Sequence, residues 1–361
     1  MNTSRIKNIT RFSLYAALAL SGLVLLFLAG FLLFATVTDY KPDEKETLVM
    51  KKSLFPDTIA AGRLEIYTWN IGYGGLGRKM DFFYENGKMV RPEKEYYKHC
   101  RDGIIQELKT LNKPDFIFLQ EVDQQSHRTY LDNQVERLEA VFKEYFAFFA
   151  LNYKVPFVPV PLYEPMGKVK AGLLTLSRYE PIEAERYSFP SSYSWPKRLF
   201  MLDRGFILTR FIVGNGKQLV LINTHNSAFS DAADMRAKEL NMLKDIIEKE
   251  YSIGNYVIVG GDWNQNPLPF NQDSIQDGNK AYAISPEIPA DFLPAGFTWA
   301  FDPRYPTNRN VDIPYTKGKT GTTIIDFFVL SPNIHLITTH TLQTNFEFSD
   351  HQPVGMVVDL K

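Results

Sequence analysis

The sequence has one cysteine in 361 residues, Cys100, which excludes an intramolecular disulfide and leaves the redox compartment open. It also lacks an excess of either charge: 40 Lys and Arg stand against 41 Asp and Glu, so no global basic field holds nucleic acid non-specifically, which argues against a general nuclease. Histidine is scarce, at six, so each one is informative. Beyond Arg63 there is no internal repeat, low-complexity block or linker-like break, and a single domain of about 300 residues is the simpler account. The 45% hydrophobic content gives that domain a sizeable core.

One stretch lacks charge altogether. Between Arg11 and Asp39 the chain is apolar apart from Ser13, Tyr15, Ser21, Thr36 and Thr38. Residues 12–37 exceed the ~20 needed to cross ~30 Å of hydrocarbon. Arg5, Lys7 and Arg11 precede the stretch, and Asp39, Asp43, Glu44 and Glu46 follow it. The excess of basic residues on one side predicts a cytoplasmic amino terminus (1–11), a single transmembrane anchor (12–37) and a body outside the cytoplasm. A cleaved signal peptide is the rival reading; its apolar region would be longer than the usual ~7–15 residues, and Phe34-Ala35-Thr36-Val37 is a poor cleavage site. Residues 38–62, rich in Asp, Lys and Pro, read as a solvated tether, and 63–361 as the functional domain.

Within that domain, runs rich in Val, Ile, Phe and Tyr predict strands at 64–69, 115–120, 147–153, 171–177, 205–213, 218–223, 256–260, 323–330, 335–342 and 352–359. Helical periodicity is clearest at 93–111 and 231–251; in the second, Met235, Leu240, Leu243, Ile246 and Ile247 share a face, and Ser230 or Asp231 can cap its start. Helices are few, and the strand pairs within 205–223 and 323–342 have short turns. The pattern predicts an α/β fold with two stacked mixed sheets and helices on the outside.

Six polar signatures sit at the ends of these runs: Thr68-Trp69-Asn70, Gln120-Glu121-Val122-Asp123, Asn223-Thr224-His225-Asn226, Gly261-Asp262-Trp263-Asn264, Ile324-Ile325-Asp326 and Ser349-Asp350-His351. Strand ends present polar groups to one crevice without burying them unpaired. Glu121 is a natural hard-oxygen ligand for Mg²⁺, with an ordinary surface carboxylate after a strand as the alternative, and Asn70 either completes the metal shell or shapes the turn into Gly72. Asp262 is placed to align or deprotonate water and Asn264 to donate to a phosphate oxygen, with turn capping as the alternative. Asp326 interrupts an apolar strand, where a carboxylate is costly unless paired. His351 is a fitting partner, its tautomer fixed and its basicity raised for water activation; a core salt bridge is the alternative. His99, His127, His335 and His340 lack comparable context and read as structural.

In this order and spacing the signatures resemble the endonuclease/exonuclease/phosphatase superfamily, which includes pancreatic-type deoxyribonuclease, abasic-site endonucleases, neutral sphingomyelinases and inositol polyphosphate 5-phosphatases. The run Leu174-Thr175-Leu176-Ser177-Arg178 is similar to the family's mid-domain strand. The resemblance implies a four-layer α/β sandwich and Mg²⁺-dependent (or Mn²⁺-dependent) phosphoester hydrolysis. It implies that Asn70 and Glu121 hold the metal, with Asp350 joining through water. It further implies that His351 with Asp326 activates water, and that His225, Asp262 and Asn264 grip phosphoryl oxygens or assist the leaving group, His351 and Asp262 both being candidate bases. Gly72 and His225 stand where abasic-site enzymes carry an acidic ligand and a tyrosine, which leans toward the sphingomyelinase and deoxyribonuclease branches. Residues 77–92 are a candidate substrate lip, and Lys197, Arg198 and Arg204 a candidate phosphate clamp. The functional expectation is a membrane-anchored phosphodiesterase acting on a phospholipid head group or small phosphoester. An anchored nuclease and a non-catalytic binding module are the alternatives.

Overall fold

The computed structural model describes residues 3–48, 58–60, 62–190, 193–228, 233–271, 275 and 285–361. Helix α1 (Thr3–Val37) comes first, then β1 (Lys45–Thr47), β2 (Thr58–Ile59), β3 (Arg63–Asn70), α2 (Lys94–Thr110), β4 (Phe116–Asp123) and α3 (Gln134–Val141). Next come β5 (Phe146–Val158), β6 (Gly167–Ser177), β7 (Glu183–Ser188), β8 (Gly205–Val213), β9 (Gln218–His225), α4 (Ala233–Ser252) and β10 (Tyr256–Asp262). The chain closes with β11 (Thr298–Ala300), β12 (Asn308–Arg309), β13 (Thr322–Thr323), β14 (Asp326–Leu330), β15 (Ile334–Thr341) and β16 (Val354–Leu360).

The long strands form two mixed sheets, β1-β7-β8-β9-β10-β14-β11, with β2 beside β8, and β15-β16-β3-β4-β6-β5. Period-two alternation explains why they stack. Ile66, Phe116, Phe118, Leu219, Leu221, Ile258 and Phe328 point inward and share one buried cluster. Their strand neighbours point outward: Tyr67, Ile117 and Leu119 onto Ile104 and Leu108 of α2 and Leu138 of α3, and Val220, Ile222 and Val257 onto Leu240, Leu243 and Ile247 of α4. The result is the expected four layers, helix–sheet–sheet–helix. Burial of each large apolar side chain contributes about 1.5–3 kcal/mol. Truncating Phe118, fully buried at the centre, costs about 3–5 kcal/mol.

Beneath the strand mouths a polar clamp joins the sheets. Gln120 donates through Nε2 to Asn223 Oδ1 at 2.7 Å and to Thr68 Oγ1 at 3.0 Å, and Asn223 Nδ2 donates to Leu174 O and Thr175 Oγ1, each at 3.2 Å. Buried amides so satisfied fix the register of one sheet on the other.

Three expectations need correction. Residues 38–62 are not wholly a solvated tether: β1 pairs with β7 and β2 with β8, because Leu48 and Ile59 bury against the domain. The run 323–330 is not one strand: β13 pairs with β12, Ile325 O accepts Trp263 N–H at 2.9 Å, and β14 starts at Asp326. Nor is 323–342 a hairpin, since β14 and β15 lie in different sheets; the turn after Leu330 crosses between them, with Leu330 and Ile334 in the shared core. The caps Ser230 and Asp231 lie outside the described residues. Helix α1 is long and apolar enough to cross a membrane over Thr10–Val37, none of which is buried against the protein in its most apolar stretch.

Candidate active site

The strand ends meet at one rim, where a pocket of about 360 Å³ is lined by Glu121, His225, Asp262, Asn264, Asp350 and His351, among others. Local backbone geometry aims several of them. The β4–β6 register shifts between Leu119 and Val122, and Glu121 adopts φ +54°. A bulge with a left-handed non-glycine residue costs ~1–3 kcal/mol and re-aims the side chain, here into the pocket. Gly261 is required at φ +146°, since a Cβ there would stand 2.0 Å from Thr224 O. Gly72 (φ +48°) leaves no room either: a Cβ would meet Asp350 Oδ1 at 2.7 Å, so position 72 offers no ligand.

Asp262 is the hub. Its Oδ2 accepts from Asn70 Nδ2 at 2.9 Å and lies 3.3 Å from His225 Nε2 and 3.8 Å from His351 Nε2. Its Oδ1 accepts the Asn264 N–H at 2.9 Å. Burial pushes the Asp262 carboxyl up to about 6, with His351 pulling it down and Asp326 pushing it further up.

His351 is held on three sides. Nδ1 meets Asp326 Oδ2 at 2.8 Å, Nε2 lies 3.0 Å from Asn308 Nδ2, and the main-chain carbonyl accepts Trp69 Nε1 at 3.0 Å. Burial opposes charge on this imidazole, but Asp326 and Asp262 outweigh it and hold the pKa well above the ordinary value. An imidazolium requires Asn308 to present its amide oxygen to Nε2. His225 is the opposite case: burial, then Arg204 and His351, hold it well below its usual value, so it is neutral. Its Nδ1 has no partner among the described residues.

Asn70 bridges the hub to the next carboxylate, donating to Glu121 Oε1 at 3.4 Å while its Oδ1 accepts Gly72 N–H at 3.0 Å. Ser349 Oγ donates to Asn70 O at 2.8 Å and so ties the first signature to the last. Burial first, and then Glu121 and Glu85, push the Asp350 carboxyl up to about 7, although His351 and Arg309 pull the other way. A buried carboxylate with other carboxylates set against it in this way suits a divalent cation. Asp262, Asp326 and His351 also present ligand atoms within 4.8 Å of one another. There the Asp326 hydrogen bond occupies His351 Nδ1, which suits proton handling better than metal ligation.

All eight expected site residues are therefore in or against one cluster. Of the candidate clamp, Arg204 lines the pocket, whereas Arg198 pairs with Asp39 and Lys197 lies over the Tyr193 ring. From 77–92, Phe82, Tyr84 and Glu85 reach the pocket wall. Sequence reasoning missed Asn308 and Thr307, the latter accepting the Asp326 N–H at 3.1 Å; they lie at the start of the two-residue strand β12 and just before it, in Pro-Thr-Asn-Arg, with no apolar run to flag them. It also missed Arg128, which lines the pocket 3.6 Å from the Tyr73 ring centroid, its guanidinium paired with Asp123. Elsewhere His127 Nδ1 accepts Lys168 N–H, His340 meets Tyr67 and His99 meets Glu347.

The model of the Endonuclease/Exonuclease/phosphatase family matches residues 67–351. Among solved structures, an endonuclease/exonuclease/phosphatase from Beutenbergia cavernae is similar at 16% identity and TM-score 0.51, over 83% of this chain and 72% of that one. One from Bacteroides vulgatus is similar at 16% and 0.51, over 83% and 99%. D. rerio TDP2 complexed with single strand DNA product is similar at 17% and 0.52, over 82% and 99%. At such identities the likeness shows the fold alone. No curated protein sequence matches this chain.

Proposed function

The chain belongs to the endonuclease/exonuclease/phosphatase family, and on that premise we propose that it is a Mg²⁺-dependent phosphoester hydrolase, anchored in a membrane by α1 with its catalytic domain outside the cytoplasm. The observation that carries the reading is the Asp262 hub, where a carboxylate with a pKa of about 6 adjoins a charged His351 and a neutral His225.

Glu121 and Asp350 would hold the ion, and Asn70 orients Glu121 while keeping it apart from Asp262. When bound, the ion neutralises charge developing on the phosphoryl oxygens. At neutral pH Asp262 is deprotonated and His351 already carries its proton, so Asp262 is the group able to accept a proton from the attacking water. The His351 imidazolium, steadied by Asp326, faces the phosphoryl oxygens, and Asn264 and His225 complete the polar wall. Water adds to phosphorus, its proton passes to Asp262, and the ester P–O bond breaks as the leaving oxygen takes up a proton from solvent, to which Asp262 afterwards returns its own.

The anchor reading rests on the charge-free run of α1 and on the basic residues before it and acidic residues after it. Cleavage of single-stranded nucleic acid is the second reading, favoured by the D. rerio TDP2 complex and disfavoured by a net charge of −1. The test uses the full chain in detergent with bis(p-nitrophenyl) phosphate and single-stranded DNA, with Mg²⁺ or chelator. Diester hydrolysis abolished by chelation and by His351→Ala is expected; hydrolysis indifferent to both would overturn the mechanism, and activity confined to DNA would select the second reading.

A further inference from the structure

The membrane helix and the pocket meet at one place. If Arg11, the last charge before the apolar run, stays at the cytoplasmic surface, a rise of 1.5 Å per residue carries the helix across ~30 Å of hydrocarbon in ~20 residues, which ends near Phe31. There α1 touches the domain. The Phe31 ring stacks on Phe200 (centroids 5.7 Å apart, 8° between planes) and meets Phe157 edge-on at 6.2 Å. One turn further, Thr36 Oγ1 accepts Trp195 Nε1 at 3.3 Å, and Asp39 pairs with Arg198.

The helix is received by the end of β5 and by the loop that holds Trp195 and Phe200; the loop that follows β5 carries Leu162, 87% exposed, and Tyr163, 73%, and the second loop carries Trp195, 56%. Clustered apolar exposure on this scale marks an interaction surface, and Tyr and Trp are the side chains enriched at the bilayer interface. The adjoining faces of β5 and β6 carry Lys154, Lys168 and Lys170; Lys154 lies 5.0 Å from the ring of Tyr40, just past the end of α1. The same loops wall the pocket through Met166, Met201, Leu202 and Arg204.

We propose that Leu162, Tyr163 and Trp195 form a lipid-docking lip seated in the outer leaflet beside α1, which holds the pocket at head-group level so that its substrate is a phospholipid of that same leaflet. This rests on the anchored hydrolase reading. The occupant is lipid because the lip adjoins the apolar helix, through Trp195 on Thr36 and through Phe157, at the start of the other loop, on Phe31, and flanking lysines attract anionic head groups. Met166, Met201 and Leu202 offer glycerol and acyl carbons an apolar path, while Arg204 and the hub receive the phosphate.

Two measurements on the full chain in phosphatidylcholine/phosphatidylserine vesicles test this. Cys100 is buried, so Leu162→Cys takes an environment-sensitive dye at one place, with exposed Ile253→Cys, at the far end of the sandwich, as control. Quenching of the 162 dye by a lipid-borne quencher, and of the 253 dye by iodide, is expected; iodide quenching at both would overturn the lip. Second, the double variant Leu162→Ser, Trp195→Ser is expected to hydrolyse vesicle phospholipid at least tenfold more slowly with its rate on bis(p-nitrophenyl) phosphate unchanged; equal loss on both substrates, or on neither, would overturn it. A chain that fails to float with vesicles removes the anchor and the lip together. A chain that floats but hydrolyses neither substrate removes the hydrolase reading, and the dye then decides the lip alone.

Discussion

The strand mouths and the loops above them are held by different physics. At the mouths nearly every polar side chain has a defined partner: His351 is fixed by Asp326 and Trp69, Asp262 by Asn70 and Asn264, and the sheets beneath are clamped through Gln120 and Asn223. In the loops, Leu162 is 87% exposed, and Tyr163 and Trp195, also largely exposed, donate to Lys88 O and Thr36 Oγ1. On the proposed reading the reaction chemistry, which tolerates little displacement, falls to the well-partnered region, and substrate selection to the exposed one.

The comparison breaks most visibly at the hub. Asp262→Asn is expected to lower kcat on a soluble diester by about 10²–10⁴-fold with the fold intact by circular dichroism; a loss below tenfold would place the base elsewhere. Asn70→Ala frees Glu121 and Asp262 from their common donor and is expected to weaken Mg²⁺ affinity about 10–100-fold, read by calorimetry. Asn223→Ala leaves Gln120 Nε2 short of an acceptor beneath the site and is expected to cost about 1–3 kcal/mol in urea unfolding. Leu162→Ser, by contrast, is expected to leave the soluble-diester rate within about twofold, since surface changes away from strained or paired groups perturb little.

pH separates catalysis from stability. The rate is expected to rise through about 6 as Asp262 loses its proton, and to fall at alkaline pH when His351 loses its own. Stability of the metal-free protein runs the other way. Asp262 and Asp350 have folded pKa values raised to about 6 and about 7, above the unfolded ~3.9. Their contribution is complete below the unfolded value and is lost as pH rises through the folded ones. Thermal melts without metal should therefore decline between pH 4 and 7, and Mg²⁺ should reverse the decline.

Legibility in the sequence followed the same division. Buried runs such as Phe116-Ile117-Phe118-Leu119 announce both a strand and the polar residues ending it, so the two-sheet architecture and the six polar signatures could be read from them, while candidate roles for His225 and Asp350 came from the family resemblance. The strand Glu183–Ser188 went unread because Glu-Ala-Glu-Arg-Tyr-Ser has no apolar run, its pairing being supplied by β8 on one side and β1 on the other. Asn308 was silent because it sits in a two-residue strand, β12, that tertiary packing alone brings to His351. The contact of Phe31 with Phe157 and Phe200 joins positions over 120 residues apart, and no local pattern encodes it.

The central claim is that the polar signatures converge on one site in which Glu121 and Asp350 hold a divalent cation. Mg²⁺ titration of the full chain, followed by thermal unfolding at pH 7.5, tests it most directly. At a hundredfold excess over Kd the ion contributes ~2.7 kcal/mol, so Tm is expected to rise by about 4 °C in the wild type, and by less than 1 °C in both Glu121→Gln and Asp350→Asn. Equal shifts in all three proteins, or none in the wild type, would contradict the account.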